Sequence, residues 1–533
     1  MAFCSIGSTA RLKAFRLGYV SGNLDRAVLE MEFNGAGNGW TVVRDWLRDA
    51  NLQWTRGIYS NKTSDCVAGV GTANFQLNNS ETNSAKKLGY YSPGHPNCRP
   101  GFALNIGIRI RFDTTVRWVG RLNIIDPVTG KYGTRRVNCQ AVDWIDLATQ
   151  IVVSNLPVQV NQLGNIVLSV IINSLDPASR PPGGLFIKSA SPDIFPYTLD
   201  KTRDEQTTVQ AEMYRIGLSG LAKIYLDGAG RLIYESRLAR SAENSVTPVD
   251  SFVASHGVSA PLNAANITNK VQVSVYPRLP GSTDVVMYSM TQPTQIAVGQ
   301  TITMLGPWTD PNTPNVRVGA VSLVSLVSGT DYLANSAANG SGTDLTASLT
   351  VVPGLSGNAT QFTITLGGGT SGYITKLQQR GKPLYDYGET VLTAKNDASI
   401  AAFGTKTSAL QLSYQADPVI GQEFATLIAS AYNQPRPDVN QFTRIIGFTN
   451  TAEIARSIRR EISDLIFVSD ELTALGNNFF INHISETVTE ATLKTEWQLA
   501  FPLDTTKAWA LEVVGRGELD SHTILGYGSF GVT

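Results

Sequence analysis

Residues 462–485 read ISDLIFVSDELTALGNNFFINHIS. Aromatic and β-branched residues fill both arms of this stretch and a polar tip separates them, which predicts a β-hairpin. Leu465, Phe467, Phe479, Ile481 and Ile484 supply its packing, and Leu475-Gly476-Asn477-Asn478 leads out of the tip into the returning strand. The stretch offers no obvious nucleophile, metal cluster or phosphate loop. Its apolar side chains need a core, and its edges need neighbouring strands.

Working outward, most of the chain has the same β character. In FALNIGIRIRF (102–112), Phe102, Leu104, Ile106, Ile108 and Ile110 fall on one face, and in KVQVSVYPR (270–278) Val271, Val273 and Val275 alternate with polar residues. KIYLDGAGRLIYESR (223–237) predicts a hairpin turning on Asp227-Gly228-Ala229-Gly230. Helices are few. The spacing predicts one over 417–432, with Asp417 as cap, Pro418 in the first turn and an apolar stripe of Ile420, Phe424, Leu427, Ile428 and Ala431. Pro435 and Pro437 prevent its continuation. Others are expected from Asp143, over about 161–174 and over about 205–219. Between 286 and 375 the chain turns rich in Thr, Ser, Gly and Val and nearly loses its charges, which predicts an inserted Ig-like β-sandwich with 328–344 as an exposed mobile loop. The expected fold class is mainly β with a smaller α+β part. It is multidomain, with units at 1–150, 151–285 (α+β), 286–375 (the insertion) and 376–533.

Composition narrows the functional classes. Charged residues make up 16%, against about 25% in a typical soluble domain. Lys+Arg and Asp+Glu number 43 each, so no net charge draws the chain to nucleic acid or an anionic membrane. A near-neutral surface suits a protein packed against copies of itself. Cys4, Cys66, Cys98 and Cys139 are too few and too scattered for a disulfide scaffold, and read as reduced thiols of a protein made in a cytoplasm. The first twenty residues hold no continuous apolar h-region, and no stretch approaches the roughly 20 apolar residues of a membrane span.

The search for chemistry finds little. His95, His256, His483 and His522 lie far apart. His95 and Cys98 are separated by two residues in GHPNC, and a zinc site there would need Cys66 and Cys139 to join them in space. The plainer reading makes Cys98 a small buried hydrophobe and His95 a loop residue. Gly367-Gly368-Gly369 lacks a following GK[ST] and reads as a turn. The carboxylate pairs Asp143/Asp146 and Asp204/Glu205 read as helix caps and first-turn residues, although a glycosidase would also use two carboxylates. Trp40, Trp46, Trp54 and Trp118 read as core in preference to sugar-stacking platforms. No catalytic, cofactor or metal site is assigned, and the chain is expected not to be an enzyme.

Two long stretches resemble a known family. NGWTVVRDWLRDANLQWTRG, CVAGVGTANFQLNN, YYSPGHPNCRPGFALNIGIRIRF, WVGRLNIIDP and RRVNCQAVDWIDLA follow in order over 38–148. This order is similar to the N-terminal module of minor tail proteins, the baseplate or tail-tip hub proteins of long-tailed bacteriophages. Over roughly 374–527, RGKPLYDYGETVLTAKNDASIAAFG, EATLKTEWQLAF and AWALEVVGRGELDSHTILGY resemble their closing module, and YLDGAGRLIYESR resembles the middle. The resemblance implies barrel-like hub modules at both ends of the chain and a homotrimeric ring in which two such modules per subunit mimic sixfold symmetry. It implies a virion protein synthesised in the bacterial host cytoplasm, with the tail tube, distal tail ring protein, tape measure protein and tail fibre proteins or a needle as partners. It implies no small-molecule substrate. Leu465, Phe467, Phe479, Ile481 and Ile484 become candidates for the oligomer wall, and the inserted sandwich a candidate for host-receptor contact. The alternatives are a distal tail ring protein, or a tail-tip receptor-binding protein or cell-wall hydrolase.

Overall fold

A computed structural model describes residues 26–502, apart from 36, 61, 63, 130–134, 154, 202–206, 242–246 and 255. The readings made on the N-terminal segment, Cys4, Asp204, Glu205, His522 and 508–527 lie outside the described residues.

The opening hairpin forms, and its return strand organises the molecule. Leu475–Val488 pairs with Leu465–Asp470 through residues 475–480, with Thr492–Ala500 through 480–488, and with Leu52–Gly57 through 483–488. One 13-stranded sheet therefore runs from the C-terminal strands into the N-terminal ones. From Leu52–Gly57 it continues through Thr72–Asn78, Arg136–Val142, Thr115–Val128, Gly107–Phe112 and Ala27–Met31 to Thr41–Val42.

Two barrel-like units arise because a short segment in each changes partners. In the first, Thr41 and Val42 lie opposite Met31 and Glu30, and then Trp46 bridges to Leu77 on the far side. In the second, Asp250–Val253 runs parallel to Leu465–Asp470, and Val258–Ser259 pairs with Gln441–Gly447 at the opposite end of the strand row. Among the described residues no uninterrupted ladder completes either ring, so neither unit is a closed barrel. Each has its own core. Leu29, Trp54, Ile108, Phe112 and Trp118 fill the first, helped by Phe448, Ile454 and Ile458 from the C-terminal half. Phe252, Phe442, Ile466, Val468, Phe479, Ile481, Ile484 and Trp497 fill the second.

An α+β part lies between them in sequence. Helices Trp144–Ala148, Gly164–Ser174 and Val209–Gly220 share a core with strands Lys223–Leu226 and Leu232–Glu235. The hairpin about Asp227 forms as expected, with Asp227 Oδ1 accepting from the Ala229 and Arg231 amides. Lys270–Val275 runs between Thr390–Lys395 and Thr407–Leu412 under helix Pro418–Ala431, whose Asp417 cap accepts from Val419 N. The insertion hangs on Gly372–Asp386, which pairs with five other strands. A second sheet, Thr301–Pro307, Ala359–Leu366 and Leu349–Leu355, packs Phe362 and Ile364 against Ile374 and Leu377 of that long strand. The chain enters and leaves the insertion through paired residues, Arg278–Pro280 opposite 384–386.

Four local expectations change. The alternation at 102–112 becomes strand only at Gly107–Phe112, and Leu104 is 59% exposed. Gly101 sits at φ +79° with a would-be Cβ 1.9 Å from Phe33 O, so the chain turns there where a strand would run straight. The 328–344 loop contains the strand Tyr332–Asn335, and its buried Asp331 accepts from Arg380 at 2.7 and 2.8 Å. The 161–174 helix begins at Gly164, because Gln159–Leu163 is a strand paired with Ile194–Thr198. Helices Asp397–Phe403 and Thr451–Ile458 were not expected; each is capped by an asparagine, Asn396 and Asn450.

Because the ends of the insertion are paired, replacing 281–383 with a short Gly-Ser linker is expected to leave the remainder folded. Circular dichroism melting should place its midpoint within a few degrees of the parent; loss of a cooperative transition would show that the insertion is part of the common core.

Candidate functional site

The two units meet at a charged seam. Leu52–Gly57 lies antiparallel to 483–488, with Leu52 opposite Val488 and Gly57 opposite His483. Ile484, Glu486 and Val488 are alternate residues of one strand, so they share a face and the Glu486 carboxylate enters an apolar row. Its side chain is fully buried, as is that of Arg117 on Thr115–Val128. Arg117 grips it through one edge of the guanidinium, Nη2 to Oε1 at 2.8 Å and Nε to Oε2 at 3.1 Å. Trp54 Nε1 donates to the same carboxylate at 2.7 Å.

Arg117 reaches further into the second unit. Its Nη1 donates to the carbonyls of Ile458 (2.6 Å) and Arg460 (3.1 Å) and to Glu461 Oε1 (3.1 Å). Arg56 Nη1 stands 2.7 Å from Glu461 Oε2. Burial alone would push the Glu461 carboxyl up, but Arg56 and Arg117 outweigh it and hold the group below the usual carboxylate range. Two arginines of the first unit thus neutralise two glutamates of the second. The groups are engaged with one another, and the arrangement fixes geometry; it presents no nucleophile paired with a base.

The α+β part is fastened to the same hairpin. Arg240 donates from Nε to Glu235 Oε2 (3.2 Å) and Ser463 Oγ (3.0 Å), and from Nη1 to Asn482 Oδ1 (2.5 Å). Beside Asn482 the backbone is too tight for a side chain: Gly57 has φ +113°, and a Cβ there would lie 2.4 Å from Asn482 O. His483 follows, buried, with its ring centroid 4.3 Å from that of Tyr59. Burial, then the nearby Arg56 charge, push its imidazole down to about 4.

The candidate wall residues fall on two faces. Phe479, Ile481 and Ile484 enter the second core, and a bulge between Ile481 and His483 lets both isoleucines do so. On the outgoing strand the core residues are Ile466 and Val468. Leu465 is buried on the other side, opposite Phe480, over whose ring Arg240 lies, and Phe467 is half-buried. Trp46, Trp54 and Trp118 are core; Trp40 is partly exposed under the Arg109 guanidinium. Cys139 lies in the first core with Cys98 against it, while Cys66 belongs to the core under Pro418–Ala431. His95 Nδ1 accepts from Asn97 N at 3.1 Å. Among the described residues no group of three or more His, Cys, Asp or Glu could hold a metal. Asp143 caps its helix through Ile145 N and also accepts from Gly71 N; burial pushes its carboxyl up to about 8 against the pull of those two donors. Asp146 accepts from Gln150 Nε2.

Sequence reasoning missed Arg56, Arg117, Glu461 and Glu486. The available signal was Glu486 itself, a charge at an inward position of an alternating apolar row.

No family model matches the chain, and no curated protein matches it. Solved structures align along most of its length. The 43 kDa tail protein of prophage MuSo2 from Shewanella oneidensis is 8% identical at a TM-score of 0.47, over 90% of this chain and 99% of its own. A tail protein from Neisseria meningitidis MC58 is 8% identical at 0.46, over 91% and 99%. Prophage tail protein gp18 from Listeria monocytogenes EGD-e is 8% identical at 0.39, over 88% and 94%.

Two outcomes follow from the seam. Glu486→Gln takes the bidentate partner from the buried Arg117 guanidinium, leaving Glu461 at 3.1 Å as its remaining counter-charge, and is expected to lower stability by up to about 3–5 kcal/mol in urea denaturation. His483 is neutral in the fold, while the unfolded chain takes up a proton below about 6.5. Stability should therefore fall as pH drops from about 6.5 toward about 4, and His483→Gln should lose that part of the acid dependence when melting is followed across the same range.

Proposed function

We propose that this chain is a structural subunit of a bacteriophage tail tip. In this reading it is an oligomeric baseplate hub that joins the tail tube and distal tail ring to distal fibres or a needle. The observation that carries the reading is the pair of barrel-like units held side by side in one continuous sheet. Three copies around an axis present six such units, the number a hexameric tail ring offers. A flexible link between the units would leave their spacing undefined; a shared strand and a neutralised buried charge cluster fix it. The ordered motifs over 38–148 and 374–527 support the same assignment. The strands of the hairpin then build wall, and the tape measure protein and tail fibre proteins are the expected neighbours. In this reading the insertion, whose ends pair at Arg278–Pro280 and 384–386, would contact a host receptor or another virion component.

The reading is tested by the symmetry of the assembly. Native mass spectrometry of the purified chain, alone and with its ring partner, should give a trimer, and end-on electron micrographs should show six pseudo-equivalent lobes. A hexamer would favour the distal ring protein. A strict monomer with tail partners present would remove the hub.

A further inference from the structure

A cleft of about 580 Å³ opens where the strand end at Ala500, the approach to Gln441–Gly447, the start of Thr407–Leu412 and residues Tyr59, Ser60, Lys62 and Ser64 converge. Its volume falls in the roughly 300–1,000 Å³ range of ligand clefts. Lys62, Lys406 and Arg436 line it, and among the described residues none of them forms an ion pair. Arg436 instead lies 5.9 Å from the Tyr432 ring and 5.7 Å from that of Phe501, both also lining residues. The one carboxylate in the lining, Asp438, accepts from Asn266 Nδ2 at 3.0 Å. The cationic excess is local, because the chain as a whole carries equal numbers of acids and bases. At the seam the arginines are matched by glutamates; here, among the described residues, the cations line the cleft beside apolar wall from Ile428 and Leu499.

We infer that this cleft binds an acidic peptide segment of another protein, one that alternates carboxylates with apolar or aromatic side chains. The three cations call for negative charge, and low-dielectric walls strengthen that preference. A small inorganic anion would leave the aromatic and aliphatic wall uncovered, whereas an extended peptide satisfies both chemistries. The inference stands apart from the tail-tip reading, since it concerns the ligand of one cleft and not the symmetry of an assembly.

The test uses the full chain and a fluorescein-labelled peptide alternating Glu and Phe, with a Lys/Phe peptide of equal length as control. Fluorescence anisotropy should show saturable binding of the acidic peptide, weakened by salt, and none of the basic one. The double variant Lys406→Glu/Arg436→Glu should bind roughly tenfold more weakly or worse, with an unchanged melting midpoint establishing that it is folded. Equal binding of both peptides, unchanged affinity in the double variant, or full displacement by inorganic phosphate would overturn the proposal. So would binding that appears only after removal of 503–533, which would give the cleft to the chain's own end.

Discussion

The structure depends on a six-residue ladder between Leu52–Gly57 and 483–488, locked by the buried pair of Arg117 and Glu486. Ladder hydrogen bonds alone would let two units hinge about a strand. The ion pair removes that freedom, because parting the units would strand a guanidinium on one side and a carboxylate on the other in an apolar setting. Desolvating both ions costs several kcal/mol, so such a pair contributes less to net stability than to fixing one arrangement. Arg56 and Glu461 repeat the device at the rim, and Arg240 ties the α+β part to the same hairpin through Asn482 and Ser463. The hairpin is therefore buried on both sides over part of its length, by its own core and by the α+β part.

This explains how a chain with so little recognisable chemistry uses its charged residues. Several of its arginines and glutamates serve as fixed joints between segments distant in sequence. The buried groups at the seam would attract attention as catalytic candidates in an enzyme. Here Arg56, Arg117, Glu461 and Glu486 are each answered by an opposite charge, and what they establish is a spacing. In the proposed hub such a spacing would matter, since an error of a few degrees between the two units would be multiplied around the assembly.

The sequence revealed what is local. The hairpin at 462–485, the capped helix at 417–432 and the Asp227 turn all rest on periodicity and on residues with fixed conformational habits, and they formed. The loss of charge over 286–375 marked a change of character in the chain, and two packed sheets lie there. The seam was not, because Trp54 and Glu486 are 432 positions apart and a pairing at that range leaves no mark on either segment. Face assignment was legible only in part. The bulge at Ile481/His483 shifts the alternation, and no residue type announces a bulge. The partner-switching segments at 41–47 and 250–259 were also hidden, since the ladders they make are only a few residues long.

Hydrogen–deuterium exchange of the intact chain addresses the central claim most directly. If the two units form one body, the amides of 52–57 and 483–488 should exchange as slowly as those inside either core, and only through global unfolding. Faster exchange confined to those twelve positions, while both cores stay protected, would mean that the units part independently and that the seam does not set their spacing.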